Sequence, residues 1–365
     1  MVHNANPGPN MRTEGSRGSG PWWNLLVVLL LVLGSSALYA EDAADEVLVF
    51  ILAGQSNMVG HGKPDMGRNP DYVEGDKASQ REVAGGIGSL RRFIERHPEP
   101  YGAEGTLPLV NADGSWRERD DVLIHCTTER GAKHGHLTPH FGKGEWFGPE
   151  FGFGHIVGEA FAQPVLIIKT AWGGHSLGID FRPPSSGEPQ FTKAKYEPDQ
   201  VGRSYRAMLS LTQEVLANME TLFPELAGKT PRLAGFGWHQ GWNDGVPEMT
   251  AEYEANMVNL ITDLRRDLGV PDLPVVIANT GMIGVEATGV RAELCEIQLA
   301  LGDPEKHPEF AGTVASVETR PFKRSEEQSP SKFGYHWNHN GESHWLLGEA
   351  MGVAMLELLP GSRQE

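Results

Sequence analysis

Four short stretches carry residues able to do chemistry together. The first is Gly54-Gln55-Ser56-Asn57-Met58, which follows directly on an apolar run. A serine at the carboxyl end of a buried strand can aim its hydroxyl into a cleft and its own N–H at an oxyanion. The same position also suits a serine that merely caps a helix. The second is Trp172-Gly173-Gly174-His175-Ser176, where paired glycines let the backbone approach a ligand and point an N–H into a site. The third is Trp238-His239-Gln240-Gly241-Trp242-Asn243-Asp244, whose side-chain amides at Gln240 and Asn243 are potential oxyanion donors. The fourth, Tyr335-His336-Trp337-Asn338-His339-Asn340, supplies histidines, and a serine is a weak nucleophile until a base takes its proton. Each stretch alone also reads as an ordinary polar turn. Together they contain the parts of acyl transfer.

These parts need a scaffold that brings strand ends together. Continuous apolar runs predict strands over Glu46–Ala53, Val165–Ile168, Leu233–Trp238, Val275–Ala278 and Thr313–Val317. Between them, helical patterns span Glu150–Ala162, Val201–Leu222, Thr250–Leu268 and Glu342–Leu359. In the third, Tyr253, Met257, Leu260, Ile261 and Leu264 share a face. Alternating strands and helices of this length imply parallel crossovers, hence a three-layer α/β/α sandwich around a parallel, flavodoxin-like sheet of about five strands. The first three chemical stretches then fall at carboxyl ends of its strands. Residues 60–146 read as a long insertion rich in Gly, Pro and charge, with a short strand candidate at Val122–Cys126, forming one wall of a cleft.

The order of Gly54-Gln55-Ser56-Asn57, a glycine turn, Gly241-Trp242-Asn243-Asp244 and a C-terminal histidine resembles the SGNH hydrolase superfamily. More narrowly, Gly54–Met58, Gly148–Gly154 (GPEFGFG) and Ala171–Gly174 resemble the sialate O-acetylesterase and acetylxylan esterase group, over roughly residues 46 to 358. The resemblance implies a serine esterase that removes O-acetyl or other short acyl groups from carbohydrate through an acyl-enzyme, without metal or organic cofactor. Ser56 would be the nucleophile and His336, in its Tyr-His-Trp-Asn setting, the general base, with His339 and His344 as competitors. The oxyanion hole would use Ser56, Gly173 or Gly174, and Gln240 or Asn243. Gln55, Asn57, Trp172, Trp242 and Trp337 are candidate substrate contacts. Where the superfamily has an Asp three residues before its histidine, this chain has Phe333, and where the esterase group often has a Glu after Gln-Gly, it has Trp242. The group orienting His336 is thus open between Asp244, Glu318 and Glu342. Those two departures also sustain a second reading, a catalytically inactive carbohydrate-binding protein on the same fold. A lipid acyl esterase fits less well because the loops are polar.

Composition narrows the partners. The 365 residues carry a net charge of -17, which excludes a phosphate backbone as natural partner. An acetylated glycan or another small-acyl ester fits that charge better. Arg12 and Arg17, an apolar run over Leu25–Leu33, and small residues up to Ala40 predict an export signal over residues 1–40, cleaved or retained as a membrane anchor. Residues 41–365 then form a single domain. Cys126 and Cys295 read as structural thiols or one bridge. His125, His134, His136 and His140 lack the spacing of a metal site and read as a solvated, flexible loop.

Overall fold

A computed structural model describes residues 45–65, 86–191 and 195–359. The export segment lies outside them. Among the described residues no helix is long and apolar enough to cross a membrane.

The strands are β1 (Glu46–Gly54), β2 (Arg119–Thr128), β3 (Gly131–Leu137), β4 (Val165–Ala171), β5 (Thr230–His239), β6 (Val275–Ala278) and β7 (Val314–Val317). They form one sheet in the order β3-β2-β4-β1-β5-β6-β7, parallel throughout except for the β2–β3 hairpin. The five expected strands are all present. The sheet is larger than expected because the 60–146 insertion contributes β2 and β3, so that segment extends the sheet. His125 and His134 pair across that hairpin instead of lying in a loose loop. Both cysteines are buried and free.

Alternation along β1 builds the layers. Leu48, Phe50 and Leu52 face the core that contains α4 (Pro149–Ala160) and α9 (Gly341–Leu358). Ile51 and Ala53 face α5 (Arg203–Ala217), α7 (Pro247–Leu268) and α8 (Val290–Ala300), and Val47 and Val49 face the end of α5 and α6 (Met219–Leu222). Successive strand residues point to opposite faces, and fully burying each such side chain contributes about 1.5–3 kcal/mol. Helices α4 and α9 touch backbone to backbone: a Cβ on Gly348 would stand 2.1 Å from the Pro149 carbonyl oxygen.

Local chemistry sets the helix ends. Helix α7 starts at Pro247, where proline's missing N–H is harmless, and stops at the left-handed Gly269 behind Arg265 and Arg266. It buries the expected stripe from Tyr253 to Leu264. The pattern over 201–222 breaks at Asn218 into α5 and α6. Two further elements escaped the pattern: α8, and α2 (Leu90–Arg96), whose N-cap Ser89 accepts from Arg92 N at 3.2 Å. The short α1 (Ser56–Val59) and α3 (Pro98–Tyr101) complete the set.

Candidate active site

The site sits at the carboxyl ends of β4, β1 and β5, three adjacent strands with β1 in the middle. The chain leaves β1 through Gly54, where a Cβ would stand 2.2 Å from the His239 carbonyl oxygen, so only glycine lets the ends of β1 and β5 meet. Gln55 then caps α1 with extended backbone, and Ser56 is the first helical residue rather than the cap. As such its N–H has no intrahelical acceptor, the condition that makes a helix start an anion site.

Gln55, offered above as a substrate contact, is instead a buried clamp. Its Oε1 accepts from Gly241 N (3.1 Å), Asn243 N (3.4 Å) and Gln240 Nε2 (3.3 Å), and its Nε2 donates to Asn243 Oδ1 (3.2 Å). Gln240 is fully buried, with Nε2 shared among Gln55, the His175 carbonyl and Asp244. That engagement corrects its assignment as an oxyanion donor. Asn243 is exposed and donates one Nδ2 hydrogen to Gly174 O at 2.7 Å, and its second Nδ2 hydrogen has no acceptor among the described residues.

The glycine turn divides in the same way. Gly173 N–H donates to Glu129 Oε2 at 3.3 Å, which takes it out of the oxyanion set. Gly174 has the left-handed φ of 76° that a turn of this shape demands, and among the described residues its N–H has no acceptor. Asp244 braces the segment behind it, accepting from Leu177 N (2.9 Å), Gly178 N (2.7 Å) and Gln240 Nε2 (2.6 Å). Burial pushes its carboxyl up to about 6, against the pull of those hydrogen bonds. Asp244 is therefore committed to Leu177, Gly178 and Gln240 rather than to His336.

Beneath α1 lies an ion pair that sequence reasoning did not assign. Lys169 of β4 and Glu150 of α4 are both fully buried, 2.8 Å apart. Lys169 Nζ also donates to Val59 O (3.0 Å), the last carbonyl of α1, and to Phe141 O (2.7 Å). Glu150 accepts from Gly148 N at 2.8 Å. A lysine inside the apolar run Val165–Ala171 is the signal that could have found it, since such a charge must have a partner.

The histidine side is built differently. Trp337, Asn338 and His339 have φ of 53°, 54° and 57°, three successive left-handed residues, each costing roughly 1–2 kcal/mol. This turn directs Trp337 into the core at 1% exposure, which removes it from the substrate contacts, and leaves Tyr335 at the surface. Asn57, fully buried, donates Nδ2 to Tyr335 O at 3.0 Å, tying the residue after Ser56 to the residue before His336. Of the three candidate bases, His344 is wholly buried and His339 nearly so, whereas His336 is half-buried. Burial, with help from Lys143, holds His336 down to about 4. Its ring stacks on His61 at 3.7 Å. Among the described residues no carboxylate bonds to it: Glu318 is held by Asn279 and Arg320, and Glu342 by Arg96 and Arg324.

Of the remaining aromatic candidates, Trp172 is half-buried and packs on His175, while Trp242 has Arg291 over its ring at 3.5 Å and Tyr335 at 6.0 Å.

The fold is shared with an Arabidopsis thaliana protein of known crystal structure, at a TM-score of 0.51 and 17% identity over 85% of this chain and 98% of that one. Matches at lower scores are a carbohydrate acetylesterase from Xanthomonas citri (TM-score 0.49, 13% identity, 86% of this chain and 57% of that one) and NanS (0.42, 14%, 75% and 77%). No curated protein sequence matches the chain. A family model described as a carbohydrate esterase, sialic acid-specific acetylesterase, matches residues 46–306, from β1 past α8 and including Ser56, Gly174 and Asn243. The chain belongs to that carbohydrate esterase family.

Proposed function

We propose that the protein is a serine esterase that removes acetyl or another short acyl group from a carbohydrate. The observation that carries the reading is the hydrogen-bonded unit at the ends of β4, β1 and β5, in which Gln55 and Asn243 lock the Ser56 turn to the Gly174 turn. Ser56 Oγ attacks the ester carbonyl carbon while His336 takes the hydroxyl proton. The N–H groups of Ser56 and Gly174 and the Asn243 Nδ2 stabilise the oxyanion. Collapse expels the sugar hydroxyl, which receives the proton from His336, and leaves an acyl-Ser56. Water, deprotonated by His336, releases the acid. His336 is neutral at neutral pH and so is in the form that accepts a proton. Trp242 and Tyr335 flank the mouth as surfaces on which a sugar ring can stack. Export of the chain, directed by residues 1–40, would bring it to extracellular or periplasmic glycans.

A second reading is a carbohydrate-binding protein without turnover, favoured by one observation: among the described residues His336 has no carboxylate partner. Hydrolysis of p-nitrophenyl acetate, butyrate and octanoate by the parent, Ser56→Ala and His336→Ala proteins separates the two. The esterase turns over acetate best and loses that turnover in both variants. A parent inert on these esters and on an acetylated glycan is the binding protein.

A further inference from the structure

We propose that His61, His336 and His339 form a site for one zinc-class divalent cation and that filling it silences the esterase. The second half rests on His336 being the base; the first does not.

Within the described residues this is the one group of three metal-capable side chains whose ligand atoms come together, all within 4.8 Å of one another. Fixed short spacing is the usual sequence signal of a metal site, and neither His125–His140 nor this trio has it. The trio draws instead on two distant segments: His61 just past α1, and His336 and His339 on the left-handed turn that presents both rings on one side. The rings are stacked, with centroids 3.7 Å apart for His61–His336, 5.6 Å for His61–His339 and 5.8 Å for His336–His339.

A tetrahedral zinc ion with nitrogen at about 2.0–2.1 Å places its donors about 3.4 Å apart, so the nitrogens must close by up to about 1.4 Å. The near-parallel rings must also turn so that their in-plane lone pairs converge. Nothing polar opposes that turning: among the described residues none of the three rings is hydrogen-bonded, and His61 Nδ1 is buried without a partner, with the residue only 6% exposed. Such an orphan is a cost that a ligand would relieve.

The donor atoms choose the ion. All three are imidazole nitrogens, whereas a hard cation such as Ca²⁺ or Mg²⁺ wants oxygen ligands. Three imidazoles suit zinc, copper or nickel. The consequence for catalysis is one of electron pairs. The ring nitrogen of His336 that donates its lone pair to the metal cannot take the Ser56 proton.

The test begins with the Ser56→Ala protein, dialysed against EDTA and titrated with Co²⁺ and Zn²⁺, because its binding is read without any turnover. Expected are one ion per chain, the visible spectrum of tetrahedral cobalt, and binding weakened at least about 10-fold by His61→Gln and by His339→Gln, each checked for an unchanged thermal melt, with His134→Gln unaltered. Zinc should also abolish acetate hydrolysis by the parent, and EDTA restore it. No saturable binding, or binding that survives both His61→Gln and His339→Gln, overturns the site. Binding at the trio with hydrolysis undiminished overturns the silencing. A parent that never hydrolyses acetate defeats the esterase reading, and with it the silencing, while the cobalt spectrum still decides the site.

Discussion

The two halves of the cleft are held by opposite means. On the serine side the side chains behind the turn are interlocked: Gln55, Gln240, Asn243 and Asp244 exchange hydrogen bonds, with the Lys169–Glu150 pair beneath. On the histidine side three left-handed residues and a stack of imidazoles do the positioning, with no hydrogen bond to any ring of the stack among the described residues. The contrast shows where precision is needed. A nucleophile and oxyanion donors act over a few tenths of an ångström and must be preorganised, whereas a base only has to reach one proton.

The largest expected effect comes from the serine side. Ser56→Ala should lower acetate turnover by about 10⁴-fold or more, read as kcat with an unchanged melting curve. If the residual rate is higher than that, the fixed side of the cleft is not where the chemistry occurs. Next, Lys169→Ala leaves Glu150 buried and unpaired and should cost about 3–5 kcal/mol in urea unfolding, while the double replacement Lys169→Met, Glu150→Leu recovers most of it. A small cost for the single variant would mean that α1 needs no anchor. Asn243→Ala should lower kcat about 10²-fold, about 3 kcal/mol, with little change in KM, because the donor matters only once the oxyanion forms.

Asp244 adds a pH signature to the same side. Its folded-state value of about 6 lies above the 3.8 of a free carboxyl, so the native state holds the proton more tightly than the unfolded chain. Its contribution to stability is complete below about pH 4 and is lost as pH rises through about 6. Asp244→Asn should remove that part of the slope in urea unfolding followed across this window; an identical slope in both proteins would show that Asp244 does not titrate there. The smallest effect belongs to the histidine side. Asn338→Gly relieves one left-handed residue, a gain of about 1 kcal/mol, but gives up the Asn338 Nδ2 bond to Arg324 O (3.1 Å), so net stability should move by less than about 1 kcal/mol. A loss well beyond this would show the turn to be as tightly specified as the clamp opposite it.

What could be seen in the sequence follows from burial. Strands covered on both faces are uninterrupted apolar runs, so β1, β4, β5 and β6 were legible together with the motifs at the strand ends, and with them the serine side. Strand β3 was not, because Gly131-Ala132-Lys133-His134 is exposed and carries no apolar pattern to read. In the loop after β5 two amides stand three residues apart, and only packing shows that Gln240 is walled in while Asn243 faces out. Trp337 looked like a sugar platform and Tyr335 did not; the left-handed turn, which no local pattern announces in non-glycine residues, reverses the two. The histidine trio joins segments some 275 residues apart and belongs to the tertiary structure alone.

The polar β3 has one more consequence. Its partner β2 carries the apolar stretch Val122–Cys126, fully hydrogen-bonded on one side to β4. Antiparallel β3 covers the other side and turns outward a strand bearing Lys133 and two histidines, a poor template for another chain. The hairpin thus works as a gatekeeper against edge-to-edge aggregation, a hazard for any protein that must stay dispersed at high local concentration.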